Sequence, residues 1–278
     1  MSIDVEDWFQ VENLSGVVQR DTWNTRQLRV ERNMDRMLAL MAEKGVRSTC
    51  FVLGWIAEKC PSVVKRIADE GHEIASHGFG HDLLDTLSRD EFRADIERSK
   101  SLLEELTGAP VIGYRAPAFS IKDWAIPILQ EVGFAYDSSA FPTLAHDRYG
   151  RLGGVSAGQG VVELRPGFHE VCVSCLGSRG IPWGGGGYFR LIPYPIFRRG
   201  VSHILRGGQP YVFYIHPWEI DPGQPRFEGL ARGHRFRHYV GLRDCERRFH
   251  SLLGDFRWSR MADLVASWKA DGKTSANE

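Results

Sequence analysis

The sequence predicts an α/β fold built on a parallel sheet, closed or open, and three observations predict it. Short β-branched and aromatic runs alternate with amphipathic helical stretches through the first half of the chain. The polar residues able to carry chemistry fall at the C-terminal ends of predicted strands, where parallel α/β sheets gather their sites. No internal repeat, linker or low-complexity segment interrupts the 278 residues, so one domain is the simpler account.

Taken in order, residues 1–5 read as a strand. Residues 23–44 contain a helix with Leu28, Met34, Met37, Leu38 and Met41 as its apolar positions. Residues 48–53 form a second strand, 56–69 a helix interrupted early by Pro61, and 73–76 a third strand. The clearest helix is 88–107: Ser88 is its N-cap, Glu91 completes a capping box, and Gly108 stops it. A strand near 111–115, a helix near 124–131 and a strand near 135–137 continue the rhythm. Residues 145–160 are glycine-rich and read as a loop or hairpin. The four glycines at 184–187 imply flexibility or close approach of backbone to a ligand. They lack the Lys-Ser/Thr of a P-loop and the spacing of a dinucleotide fingerprint. Residues 211–215 read as a strand, and 245–253 and 259–269 as C-terminal helices.

Composition is that of an ordinary globular protein, 42% hydrophobic and 25% charged. Lys plus Arg and Asp plus Glu each total 35, so no net field favours nucleic acid or an anionic membrane. A neutral polar glycan suits such a surface, and the eight Trp could stack on sugar rings, although core packing is their commoner use. Five cysteines at irregular spacing make no disulfide framework. Cys172 and Cys175 have no second pair to complete a zinc site, and their flanks alternate like a strand. No run approaches the ~18 apolar residues of a membrane span. No signal peptide is visible, so a cytoplasmic location is expected unless residues upstream of the first motif, which begins at residue 2, carry one.

The strongest local signal is Ser76-His77-Gly78-Phe79-Gly80-His81, directly after a predicted strand. Two histidines four apart on one face of a helical turn can reach one metal ion. Such a pair wants an anionic third ligand, and Asp4-Val5-Glu6-Asp7 at the end of the first strand supplies three carboxylates. Clustered acids are costly unless they hold a cation or split their pKa values, so one could bind metal while another acts as general base. Arg115-Ala116-Pro117-Ala118-Phe119 and His216-Pro217-Trp218-Glu219 end two further strands. An arginine there could pair with a carboxylate, and a histidine could serve as general acid.

In this order, Asp4…Asp7, His77-x-x-x-His81, Arg115-Ala116-Pro117 and Ile215-His216 resemble the NodB-homology polysaccharide deacetylases, carbohydrate esterase family 4 and its relatives. Ser-Ile-Asp-Val-Glu-Asp-Trp-Phe, Tyr-Asp-Ser-Ser, Gly-Gly-Gly-Gly-Tyr-Phe-Arg, Phe-Tyr-Ile-His-Pro-Trp-Glu and Arg-His-Tyr-Val-Gly-Leu are similar to the branch associated with exopolysaccharide loci and exosortase systems. The resemblance implies a distorted (β/α)7 barrel, with a catalytic core over about 1–221 and a helical extension over about 222–278. It implies one divalent cation, zinc before others, held by His77, His81 and either Glu6 or Asp7. Asp4 is then the general base, oriented by Arg115, and His216 the general acid, with Asp137 as a possible partner. Pro117, Ala118, Phe119 and Trp218 are candidate substrate contacts, Ala118 standing where the family usually has Tyr. An N-acetylated glycan is the expected substrate, and acetate the product. The alternatives are a hydrolase of small cyclic amides, ureides or O-acetyl esters on the same fold, and a carbohydrate-binding barrel without catalysis. Oligomeric state stays open.

Overall fold

Side chains alternate along strand β1 (Ser2–Val5) between two environments, and that alternation sets the plan of the molecule. Ile3 and Val5 join the main apolar core, while Ser2 and Asp4 meet Arg115 on the other face. The computed structural model describes residues 1–143, 150, 152–177 and 180–275. Its main sheet has eight strands in the order β10 (Tyr214–Ile215), β1, β2 (Thr49–Val52), β3 (Glu73–Ser76), β4 (Gly113–Tyr114), β5 (Tyr136–Asp137), β7 (Phe168–Val171) and β6 (Val161–Arg165). All neighbours are parallel except β6 and β7, leaving seven parallel strands and one antiparallel edge. The sheet curls into a half-barrel. Between β7 and β10 the chain is tied by Ser174 N donating to Val212 O and by a parallel bridge from Gly185 to Tyr214.

Helices cover the outer face. From α1 (Val30–Glu43) come Met34, Met37 and Met41, and from α3 (Pro61–Asp69) come Val63 and Ile67. Phe92, Ile96 and Leu103 belong to α4 (Arg89–Thr107), and Leu129 to α5 (Ala125–Val132). Phe197 and Val201 of α7 (Tyr194–Arg206) and Phe249 and Leu252 of α9 (Leu242–Asp255) complete the layer. Burying each such side chain contributes about 1.5–3 kcal/mol before entropy is counted. Inside the curl lie Phe51, Ala75, Tyr136 and Val171. They are closed from below by Met261 and Val265 of α10 (Met261–Ser275), whose first amide donates to Thr49 Oγ1 at 2.7 Å. The C-terminal segment is therefore the floor of the barrel.

Several expectations need correcting. Pro61 does not interrupt a helix; it is the first residue of α3, separate from α2 (Gly54–Lys59), where its missing N–H costs nothing. Leu28 precedes α1 and is exposed. Residues 194–206 form a helix that the prolines at 193 and 195 disguised. The strand expected through Cys172 and Cys175 breaks after Val171, and β8 (Cys175–Leu176) pairs instead with β9 (Ile181–Pro182). All five thiols are free and buried. Of the loop expected at 145–160, residues 145–149 and 151 lie outside the described residues, and the remainder forms turns and open chain up to residue 160. Among the described residues no helix is long and apolar enough to cross a membrane.

Candidate metal centre and active site

Glu6, His77 and His81 each place one ligand atom within 4.8 Å of the others. They do not meet through a helical turn, as the four-residue spacing suggested. The chain leaves β3 at Ser76 and loops, with Gly78 at φ +70° and His81 at φ +59°. Asp95 of α4 holds that loop by accepting from Phe79 N and Gly80 N at 2.8 and 3.0 Å. A Cβ on Gly78 would come within 2.8 Å of the same carboxylate, so glycine is required there.

The donor set fits a cation. His77 Nδ1 donates to Arg115 O at 2.8 Å, which leaves Nε2 as the free lone pair. Burial pushes the His77 imidazole down to about 4, so it is neutral at pH 7. Glu6 Oε2 lies 2.7 Å from His81 Nε2, close enough to pair with it as an ion pair when His81 is protonated. With His81 neutral, its lone pair and that oxygen converge as they would on a shared metal ion. Burial alone would raise the Glu6 carboxyl, yet His81, His216 and His77 outweigh it and hold it at about 2. Burial lowers His81, but Glu6 more than offsets this and raises it, so a metal must compete with a proton there.

Asp4 sits beside this set. Arg115 lies fully buried over the face of Phe51 at 4.1 Å and donates through Nη1 to Asp4 Oδ1 at 2.6 Å. Its other nitrogens are fixed by Ser138 O and Ser138 Oγ, each at 2.8 Å. Asp4 Oδ2 faces His216 Nε2 at 3.7 Å. His216 in turn is held from behind by Glu219, whose Oε1 contacts Nδ1 at 2.8 Å. Arg190 donates to the other Glu219 oxygen at 2.6 Å and to the carbonyls of Arg237, His238 and Val240. Burial opposes the His216 imidazolium, but Glu6, Glu219 and Asp4 overcome it and raise the group to about 9.

Strand parity explains which acids enter the site. Ser2, Asp4 and Glu6 share one phase of β1 and its continuation, and Asp7 belongs to the other. Asp7 turns to the helix layer, accepting from Trp8 N at 2.8 Å, Arg29 N at 2.7 Å and Val30 N at 3.0 Å, and so caps α1. Burial lifts its carboxyl to about 6 despite those three amides. Asp137 is likewise out of phase with Tyr136 and Ser138. It accepts from Ser139 Oγ and lies against Glu170 on β7, and burial raises both carboxyls. The partner expected for His216 is therefore not Asp137 but Glu219. Sequence reasoning passed over Glu219 and Arg190, though Glu219 sits three residues after His216 in the pattern of a capping box.

An opening of about 80 Å3 above the centre is lined by Asp4, Glu6, His77, His81, Ala118, Phe119, Tyr214, His216 and Trp218, among others. Pro117 is buried beside it and does not line it. Ala118 and Phe119 are held at φ +49° and +60°, strained for non-glycine residues. Among the described residues no acceptor is found for Ala118 N–H. Trp218 is no sugar platform: its ring is sandwiched between His216 at 5.3 Å and His238 at 4.6 Å. Its Nε1 donates to Glu6 Oε1 at 3.3 Å.

A parallel half-barrel thus gathers a histidine pair and carboxylates at its strand ends, a set that could hold a metal ion. Residues 21–136 match the family model "Polysaccharide deacetylase", and residues 138–266 match "Domain of unknown function (DUF3473)". Residues 21–136 are thus similar to polysaccharide deacetylases. The first match contains His77, His81 and Arg115; Asp4 and Glu6 precede it, and His216, Glu219 and Arg190 fall within the second. The chain is 34% identical over 106 residues to the peptidoglycan deacetylase-like protein FGM2 of Gibberella zeae, covering 37% of this chain and 31% of that one. It is 40% identical over 73 residues to a Bacillus cereus peptidoglycan-N-acetylglucosamine deacetylase, 26% of each chain. The matched stretches thus span well under half of these curated relatives. Among solved structures, a Mycobacterium smegmatis protein described as a polysaccharide deacetylase superposes over 98% of this chain and 91% of that chain, with TM-score 0.64 and 20% identity. Puue allantoinase superposes over 97% and 89%, with TM-score 0.60 and 14% identity. These two likenesses are of fold.

Proposed function

We propose that the protein is a metal-dependent hydrolase that removes N-acetyl groups from amino sugars of a polysaccharide, an exopolysaccharide by the likeness of its motifs. One observation carries the reading: Asp4 Oδ2 and His216 Nε2 face each other at 3.7 Å beside the Glu6, His77 and His81 set, each fixed from behind by a buried partner. A divalent cation, zinc in this proposal, would be held by those three residues; it supplies Lewis-acid polarisation of the acetyl carbonyl and acidifies water. Asp4 is placed to take a proton from the attacking water through its free oxygen, while Arg115 fixes the other. His216, backed by Glu219, delivers a proton to the departing nitrogen, so amide and water become acetate and amine. Ala118 N–H is available to the oxyanion, a kind of contact worth about 3–4 kcal/mol. Residues 1–278 act as one catalytic unit in this proposal, because the base Asp4 precedes the first matched segment, His77 and His81 lie within it, and the acid His216 lies within the second. The opening continues into a second cleft beyond His216, which suits a polymer better than a small cyclic amide.

The test is acetate release from N-acetylated oligosaccharides before and after chelation, with zinc returned. Release that a chelator stops and zinc restores is expected. Release indifferent to chelator would refute the metal-dependent mechanism.

A further inference from the structure

Next to the metal centre, beyond His216, lies a second cleft of about 290 Å3 that the chemistry above does not use. It shares Asn13, Tyr214, His216 and Trp218 with the first opening, so the two form one path. Its far wall is Gly186 and Leu191 of α6 (Gly186–Leu191) and Phe236 and Arg237 of α8 (Arg232–Tyr239). The glycines brought to notice by the sequence build this wall. A Cβ on Gly185 would stand 1.9 Å from Tyr214 O, and one on Gly186 2.8 Å from the Tyr214 hydroxyl.

Two features of the wall point to a ligand. Phe236 is 57% exposed and Leu191 49%, an apolar lip at the edge of a polar site. Residues 226–243 carry five arginines (226, 232, 235, 237 and 243) against one acid, Glu228. Among the described residues, Arg232, Arg235 and Arg237 join no ion pair, although Arg237 Nε donates to Gly233 O, while nearby Arg247 pairs with Asp244 and Arg248 donates to backbone carbonyls. Glu219 is the one acid lining this cleft among the described residues, and Arg190 and His216 engage it; Glu12 lines the opening on the metal side. A chain of zero net charge thus gathers cations without ion pairs on α8, and Arg237 among them lines the cleft.

We infer that this second cleft binds a carboxylate-bearing sugar adjoining the acetylated one, so that the substrate is an acidic glycan. The inference rests on the deacetylase reading and names its substrate class. With the acetyl group over Ala118 and the sugar nitrogen at His216, the polymer runs on toward Phe236. A pyranose face covers that ring, and its carboxylate meets the planar fork of Arg237, with Arg235 and Arg232 extending the field.

Initial rates of acetate release from the full chain are compared on two N-acetylated oligosaccharides of equal length. One is neutral and chitin-type; the other alternates N-acetylglucosamine with glucuronate. The acidic substrate is expected to have the lower KM, an advantage that added salt erodes. Arg235→Glu with Arg237→Glu should lower the acidic-to-neutral ratio of kcat/KM about tenfold or more, and Arg247→Glu should leave it unchanged. Equal KM on both substrates, or a ratio unmoved by the double variant, overturns the inference while leaving deacetylation standing. Fluorescence anisotropy with each labelled oligosaccharide in chelator reads binding without turnover. If neither substrate releases acetate, the deacetylase reading fails, and the anisotropy preference alone decides this one. Tighter binding of a phosphodiester-linked oligosaccharide than of the glucuronate form would overturn the carboxylate assignment.

Discussion

Replacing the two neighbouring acids Glu6 and Asp7 one at a time separates metal binding from folding. Asp7 accepts from three buried amides, Trp8 N, Arg29 N and Val30 N. Asp7→Ala leaves those donors buried with no acceptor, and each orphan costs about 1–3 kcal/mol. Because the donors are adjacent and α1 can fray to meet water, a total of about 3–5 kcal/mol is expected, below the simple sum. Zinc uptake should stay at one ion per chain, since Asp7 points into the helix layer. Glu6→Ala should act on the metal instead, while also costing stability without metal, because His81 and His216 lose the carboxylate they pair with. Zinc affinity should fall by more than the ~10–100-fold typical of losing an outer partner. Urea denaturation of the chelated protein reads the first quantity, and calorimetric zinc titration reads the second. An Asp7→Ala protein of normal stability that has lost zinc, beside a Glu6→Ala protein that binds it normally, would refute the assignment by strand parity.

Two other outcomes follow from the buried ion pairs. Arg115→Met should abolish acetate release and destabilise by about 3–5 kcal/mol, because Asp4 is left buried without its cation; near-normal turnover in a folded variant would refute the positioning role. His216 is raised from 6.5 to about 9 in the folded chain, so its contribution to stability is full below pH 6.5 and is lost as pH rises through about 9. That shift is worth about 3 kcal/mol. In chelator, the stability gap between the native chain and His216→Asn should shrink by about that amount from about pH 6 to about pH 10. An unchanged gap in urea denaturation would sink the claim.

The local plan was legible in the sequence because it depends on periodicities of two and 3.6. The Ser88 capping box and the Gly108 stop appear as expected, and β3 spans the predicted residues 73–76. Even the choice of Glu6 over Asp7 was available, since Asp4 and Glu6 share a phase on β1 that Asp7 does not. The same rule removes Asp137 from the site. Helix α7 was missed because prolines at its start mimic a break, although Pro at the first turn is helix-compatible. The histidine pair was found for a wrong local reason, a helical turn where a loop stands.

What the sequence by itself determined is therefore the strand–helix rhythm, the two faces of each strand and the acids, histidines and arginine at the strand ends. Only the tertiary structure decided that His216 faces Asp4, that Glu219 and Arg190 hold it, that Trp218 is walled in by His238, and that Arg237 of α8 lines the cleft beyond His216. Residues hundreds of positions apart meet because twisted parallel strands curl until β10 lies beside β1. Curvature of that kind accumulates over the whole sheet and leaves no mark in any single stretch of sequence.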